Sequence, residues 1–194
     1  SRTRKDGMAS DTRSRMIAAT ARLLAQRGLE GASLADILEA AKAPRGSMYH
    51  HFPGGKDQLV GEAVDLAGKR SLEAMDGLDG QSPAIVAGRF LDGWRELLVR
   101  TQYRAGCAVL AVTMAADSDL LRHADAVFAS WIQRLTQLFV EGGLSPEPAA
   151  DLATGLVAAT EGAVAISRAQ RDLHPFEVVA SQLMEQVRAM STVA

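Results

Sequence analysis

Cysteine is nearly absent: Cys107 stands alone among 194 residues, which excludes an internal disulfide and agrees with a reducing, cytoplasmic setting. Aromatic residues are scarce, at 5%. No uninterrupted apolar run approaches the roughly 20 residues of a bilayer-crossing helix, and Arg2, Arg4, Lys5 and Asp6 stand where a secretory signal would carry its apolar stretch. Neither a membrane span nor signal-directed export is therefore expected. Alternating β-branched runs are missing, and with them the case for a sheet. A Gly-rich phosphate loop, a nucleophile elbow, metal-ligand spacing and carboxylates paired in a cleft are also missing, so the chain argues against an enzyme and calls for no metal or cofactor. What remains, 47% hydrophobic and 23% charged, suffices for a packed core.

The formal net charge of −2 conceals an asymmetry. Residues 1–56 hold ten Lys/Arg against five Asp/Glu, a balance of +5, and the rest of the chain carries −7. A basic head on an acidic body fits a head that meets a polyanion, because phosphate contacts supply most non-specific affinity for nucleic acid. A solvated basic face would give the same count.

Apolar residues recur at helical spacing throughout, so an all-α chain of about nine helices is expected. The first helix is expected from about Asp11 to Arg27, capped by Ser10 or Asp11, with Ile17, Ala21 and Leu24 inward and Gly28 ending it. Ser33 can cap a short second helix, with Asp36 as capping-box partner and Leu34, Ile37, Leu38 and Ala41 inward. Pro44 suits a first helical position and Pro53 forbids continuation, leaving a third helix of about nine residues or fewer. So short a helix needs tertiary support. Met48 and Phe52 can pin it, while Arg45 and Tyr49 share a neighbouring face beside Ser47 and His50. Two short helices braced by a longer one make a helix-turn-helix unit.

A fourth helix starts near Lys56 and links head to body, and the loop Gly77 to Pro83 is the candidate boundary. Beyond it the pattern predicts a helix bearing Val86, Phe90, Trp94, Leu97 and Leu98, a shorter one around Cys107 to Ala116, and a long one from Ser118 to Glu141 with Leu121, Ala124, Phe128, Trp131, Leu135 and Leu138 recurring. Two final helices, about Pro148 to Gln170 and Pro175 to Met190, follow. The first is apolar on more than one face and must be buried on more than one face, which fits a dimer through residues 148–190 as well as a core.

The stretch Ser33 to Val60 resembles the DNA-binding domain of the TetR family of transcriptional regulators. Ser33 stands at the family's cap, Gly46-Ser47-Met48-Tyr49-His50-His51-Phe52 matches the recognition-helix signature, and Lys56 matches the lysine opening the next helix. Phe52-Pro53-Gly54-Gly55-Lys56, Gly106-Cys107 and Ala169-Gln170-Arg171 resemble the branch containing regulators of multidrug and lincomycin-resistance pumps. One departure is Lys42, where many members place glycine; a left-handed conformation there costs a lysine about 1 kcal/mol.

The resemblance implies a helix-turn-helix DNA-binding domain, taken as residues 1–56, and a helical ligand-binding and dimerisation domain, residues 57–194. It further implies repression of a double-stranded, palindromic operator by a homodimer, relieved by a small apolar or aromatic inducer. The rival classes are an all-helical dimeric interaction protein blind to DNA sequence and a helical enzyme. In the head, Arg45 fits the guanine O6/N7 edge, Ser47 can reach a base or a phosphate, and Tyr49 and His50 suit phosphates. Lys56 lies at a helix N-terminus that favours a phosphate, and Ser33 can offer its hydroxyl to the opposite strand. Gly46 belongs to the same signature. Adjacent His50 and His51 point apart and have no third ligand, so they make no zinc site. In the body, Phe90, Trp94, Tyr103, Met114, Phe128 and Trp131 are candidate lining residues, each of which could equally be plain core. Glu161, in an Ala/Val-rich helix, either finds a cationic partner, faces solvent, or addresses a polar or cationic ligand.

Overall fold

The computed structural model describes residues 2–114 and 118–191. Among these lie nine helices and no strand, the all-α architecture expected. They are α1 (Arg2–Arg27), α2 (Leu34–Ala41), α3 (Ser47–His51), α4 (Gly55–Glu73), α5 (Pro83–Arg100), α6 (Ala108–Thr113), α7 (Ser118–Glu141), α8 (Pro146–Gln170) and α9 (His174–Ser191). The stretch expected to extend α6 to Ala116 ends outside the described residues.

Two starts differ from expectation. Helix α1 begins at Arg2 rather than near Asp11, because the preceding residues are proline-free and mostly good helix formers, which the Ser10-Asp11 pair is too weak to interrupt. Helix α3 begins at Ser47, not Pro44. The Ser47 N–H donates to the Pro44 carbonyl at 3.0 Å, so residues 44–47 form a tight turn that leaves only five helical residues.

Helix α2 follows its expected punctuation. The Asp36 N–H donates to Ser33 Oγ at 3.1 Å. Lys42 adopts φ 50, ψ 45, and the bonds from Lys42 N–H to Glu39 O and from Ala43 N–H to Leu38 O close the helix in a Schellman motif. A lysine therefore holds the left-handed position that glycine occupies without strain. Lys42→Gly is expected to stabilise the chain by about 1 kcal/mol, because its side chain is exposed and only backbone strain is relieved. Chemical denaturation reads the difference, and an unchanged or lowered midpoint would contradict it.

The chain folds into two compact units. One comprises the residues up to Ala67 with Ala108–Asp125, and the other comprises Gly68–Cys107 with Ala126–Ala194. The Gly77 to Pro83 loop thus lies inside the second unit rather than at a boundary, and the first unit extends past residue 56 to include α6. In the first unit α1 packs on α2 and α6, and Met16, Thr20, Leu24, Ile37, Met48, Phe52, Leu59 and Val60 are completely enclosed or nearly so. On the inward face of α1 Ala21 and Leu24 are buried as expected, while Ile17 is only partly buried and Met16 is enclosed in its stead.

In the second unit α8 packs on α9 and α5, and α5 on α9. Arg95 ties α5 to α9 by pairing with Glu177 at 2.6 Å while lying over the Phe176 ring. A Cβ at Gly68 would stand 2.7 Å from Val127, so glycine is what lets α4 approach α7 closely enough for Trp131 Nε1–H to donate to the Gly68 carbonyl at 3.1 Å. On α7 the buried series is Leu120, Ala124, Val127, Trp131, Leu135 and Leu138, whereas Leu121, expected inward, is exposed. By length and composition alone α8 could cross a bilayer, although acidic and basic residues interrupt its apolar run. Half of that stretch is buried against the protein, as in a core helix.

Candidate nucleic-acid interface

Helix α3 is too short to hold itself and is fixed from below. Met48 and Phe52, four residues apart, are buried at 1% and 0% exposure. That anchoring turns the intervening polar residues outward: Arg45, Tyr49 and His50 are all exposed, Tyr49 at 71%. Arg45 projects from the turn before α3 rather than from the helix, and Gly46 completes that turn. A tyrosine so exposed on a surface of arginine and histidine has no packing role in this chain.

The hydroxyls are already engaged. Ser47 Oγ donates to the Pro44 carbonyl at 2.6 Å, which stabilises the turn. Ser33 Oγ lies 2.5 Å from an Asp36 carboxylate oxygen, so Ser33 caps and braces α2. That hydrogen bond and Arg27 hold the Asp36 carboxyl below its ordinary range. Lys56 is half-buried in the first turn of α4. Burial, with His50 and Arg13 nearby, pushes His51 below the usual histidine value. Its ring stacks edge-on between His50 and Phe52.

Arg13 and Arg15 hold the head together rather than lying on a solvated face. Arg13 bonds both Glu62 oxygens, at 2.6 and 2.7 Å, and its guanidinium lies 4.9 Å from the centre of the Phe52 ring. Glu62 also accepts from Gln58 Nε2, while Gln58 Oε1 accepts from the Gly54 N–H. This chain of contacts joins α1, α4 and the turn after α3. Arg15 Nε donates to the Ala41 carbonyl at the end of α2. Three of the basic residues are thus structural, since Arg27 pairs with Asp36 at 3.5 Å. No ion pair is formed by Arg22, Lys42, Arg45 or Lys56 among the described residues.

Counted over the whole first unit, eleven Lys/Arg meet eleven Asp/Glu. The positive balance of residues 1–56 is offset by acids on α4 and on the chain around the start of α7. The electrostatic signal is therefore a property of the outward face of the turn and α3, not of the unit.

A model of bacterial regulatory proteins of the tetR family matches residues 16–63, and a model described as the LmrA/YxaF-like transcriptional regulator C-terminal domain matches residues 83–182. The HTH-type transcriptional regulator Rv0196 of Mycobacterium tuberculosis H37Rv is 36% identical over 179 residues, covering 88% of this chain and 91% of that one. The chain belongs to the TetR family of transcriptional regulators. YxaF of Bacillus subtilis is 30% identical over 185 residues, 92% of this chain and 96% of its own length. A crystal structure of the regulatory protein TetR from Rhodobacter sphaeroides shares the fold with a TM-score of 0.80 at 24% identity, covering 89% and 96% of the two chains. These relatives are DNA-binding regulators and not enzymes.

In the second unit of this TetR-family chain, Trp94, Trp131 and Phe128 form an edge-to-face cluster, with ring centres 6.2 and 5.6 Å apart along the chain of contacts. Trp131, enclosed and with its N–H satisfied, has the character of a core residue; Trp94 and Phe128 are only half-buried. Phe90 is buried and Tyr103 half-buried at φ 60. Met114 belongs to the first unit and is 85% exposed. Glu161 is buried at 6% exposure, and neither carboxylate oxygen meets an N–H or O–H donor among the described residues. Burial pushes its carboxyl up to about 7, opposed by a weak hydrogen bond from the Cys107 thiol.

Proposed function

We propose that this regulator is a homodimeric repressor that reads a two-fold symmetric operator through Arg45, Gly46, Ser47, Tyr49 and His50, with Ser33 and Lys56 on the flanking backbone, and releases it when a small molecule occupies the C-terminal domain. The observation that carries the reading is the outward set Arg45, Tyr49 and His50, held above buried Met48 and Phe52. Arg45 has the fork geometry for guanine, and Tyr49 and His50 supply the hydrogen-bond donors that phosphates need. Release requires only that the inducer prefer the arrangement that cannot grip DNA. The reducing cytoplasm expected from a lone cysteine is the compartment such a regulator works in.

The dimer reading rests on α8. Its exposed face carries Gly155, Ala158, Gly162, Ala165, Ile166 and Ala169, and a Cβ added at Gly155 or Gly162 would meet nothing within 4 Å. Small residues at helical spacing, beside an exposed isoleucine, suit close approach of a second helix and serve no solvated surface.

Selection of bound duplexes from a random pool is expected to return a two-fold symmetric site, and wild-type protein to sediment as a dimer. Gly162→Glu is expected to sediment as a monomer, to keep its helical circular dichroism, and to lose the selected site. An asymmetric or featureless pool, or a dimeric Gly162→Glu that binds normally, would refute the corresponding half of the reading.

A further inference from the structure

Among the described residues of the second unit, Glu161 is the one buried acid, and it pairs with no base. It lies on the inward face of α8 with Leu156, Val157, Ala163 and Val164, not on the exposed small-residue face, so a second copy of the chain does not reach it. The Cys107 thiol, a weak donor, is the one side chain among the described residues that bears on the Glu161 carboxyl; neither oxygen meets a stronger donor, and the hydroxyl of the adjacent buried Thr160 has no partner. No charged side chain among the described residues bears on its titration. Leaving buried acceptors unmet costs free energy that an apolar residue in their place would not. The described residues offer no group of three metal-ligating side chains, so a metal ion does not supply the missing partner.

A buried carboxyl met by nothing stronger than a thiol, with no resident cation, calls for a ligand that brings several donors and a positive charge. A hydroxyl can serve one oxygen; an ammonium can serve both and neutralise the carboxylate. We propose that Glu161 is the recognition group for a small organic ligand bearing a basic amine, held as an ammonium–carboxylate pair inside the second unit. This rests on the ligand-responsive reading above and specifies its chemistry. When the amine enters as its ammonium form, the acidic proton of Glu161 leaves to solvent, so charge and protons balance without any further reactant.

The test uses full-length, DNA-free protein and a phenylalkylamine series of graded chain length, each amine matched by the alcohol of the same shape. Calorimetry is expected to show amines binding wild type at least about tenfold more tightly than Glu161→Gln, with alcohols indifferent to the change. The binding enthalpy should vary with the ionisation enthalpy of the buffer in wild type only. The infrared carbonyl stretch of a protonated carboxyl, missing in Glu161→Gln, should vanish as the amine binds. Overturning results are no amine binding, equal amine affinity in the variant, or equal losses for amines and alcohols. Operator release is scored separately. An amine that binds through Glu161 without releasing DNA supports the site and refutes the inducer reading. A releasing compound to which Glu161→Gln responds normally refutes the site and leaves that reading standing.

Discussion

Glu161→Gln is expected to be progressively more stable than wild type as pH rises from about 4.5 to about 7, and the gain is expected to level off above that. The folded carboxyl titrates near 7 against an ordinary value of 4.5. Between those values the folded chain keeps a proton that the unfolded chain has lost, so wild-type stability falls as pH rises through the window. Below the window both states are protonated and above it both are ionised, so the contribution is flat on either side. A difference of this size corresponds to about 3 kcal/mol. Glutamine is neutral throughout and nearly isosteric, so every other titration cancels in the comparison. The measurement is the midpoint of chemical unfolding for both proteins across that range at matched concentration, because a dimer's apparent stability depends on concentration. Parallel curves would show that Glu161 reaches solvent. The same effect bears on function: a residue that destabilises the ligand-free chain at neutral pH persists where binding needs it.

The head was legible in the sequence because its signals are local. Pro44 and Pro53 bound a segment too short to stand alone, Ser33 and Lys42 mark the ends of α2, and Met48 with Phe52 fixes which residues face out. Glu161 was legible for a related reason, as a charged residue in a run of alanines and valines. Partners distant in the chain were not legible. Arg13 meets Glu62 across 49 positions, and nothing in either neighbourhood distinguishes that arginine from a solvated one. Nor could spacing alone settle helix phase: Leu120 and Leu121 both fit an apolar stripe, and the packing of α7 selected Leu120. The assignment of α6 to the first unit depends on contact with α1, a long-range pairing without a local motif. That Glu161 meets no donor stronger than the Cys107 thiol likewise became visible only once the surroundings of α8 were in place.

Arg45→Ala is expected to remove specific operator binding while leaving fold and dimer intact. Arg45 is exposed in the turn before α3 and forms no ion pair among the described residues, whereas Arg13, Arg15 and Arg27 are tied into the head. Its guanidinium is therefore free to approach a guanine edge without first breaking an internal contact. A bidentate arginine–guanine pair contributes roughly 1–3 kcal/mol of discrimination. A two-fold complex contains the pair twice, so the loss is about 2–6 kcal/mol, or roughly thirtyfold to more than ten-thousandfold in affinity. Arg45→Lys separates the two contacts an arginine can make. Lysine retains the charge and hence the salt dependence of a phosphate contact, but it lacks the planar fork that reads guanine. Titrations of the selected site and of a scrambled duplex at several fixed salt concentrations distinguish the cases. If Arg45 reads a base, Lys fails on the selected site nearly as badly as Ala and matches wild type on the scrambled one. If Lys restores both, Arg45 grips the backbone, and base recognition passes to Ser47, whose bond to the Pro44 carbonyl would then have to break before it could donate to a base.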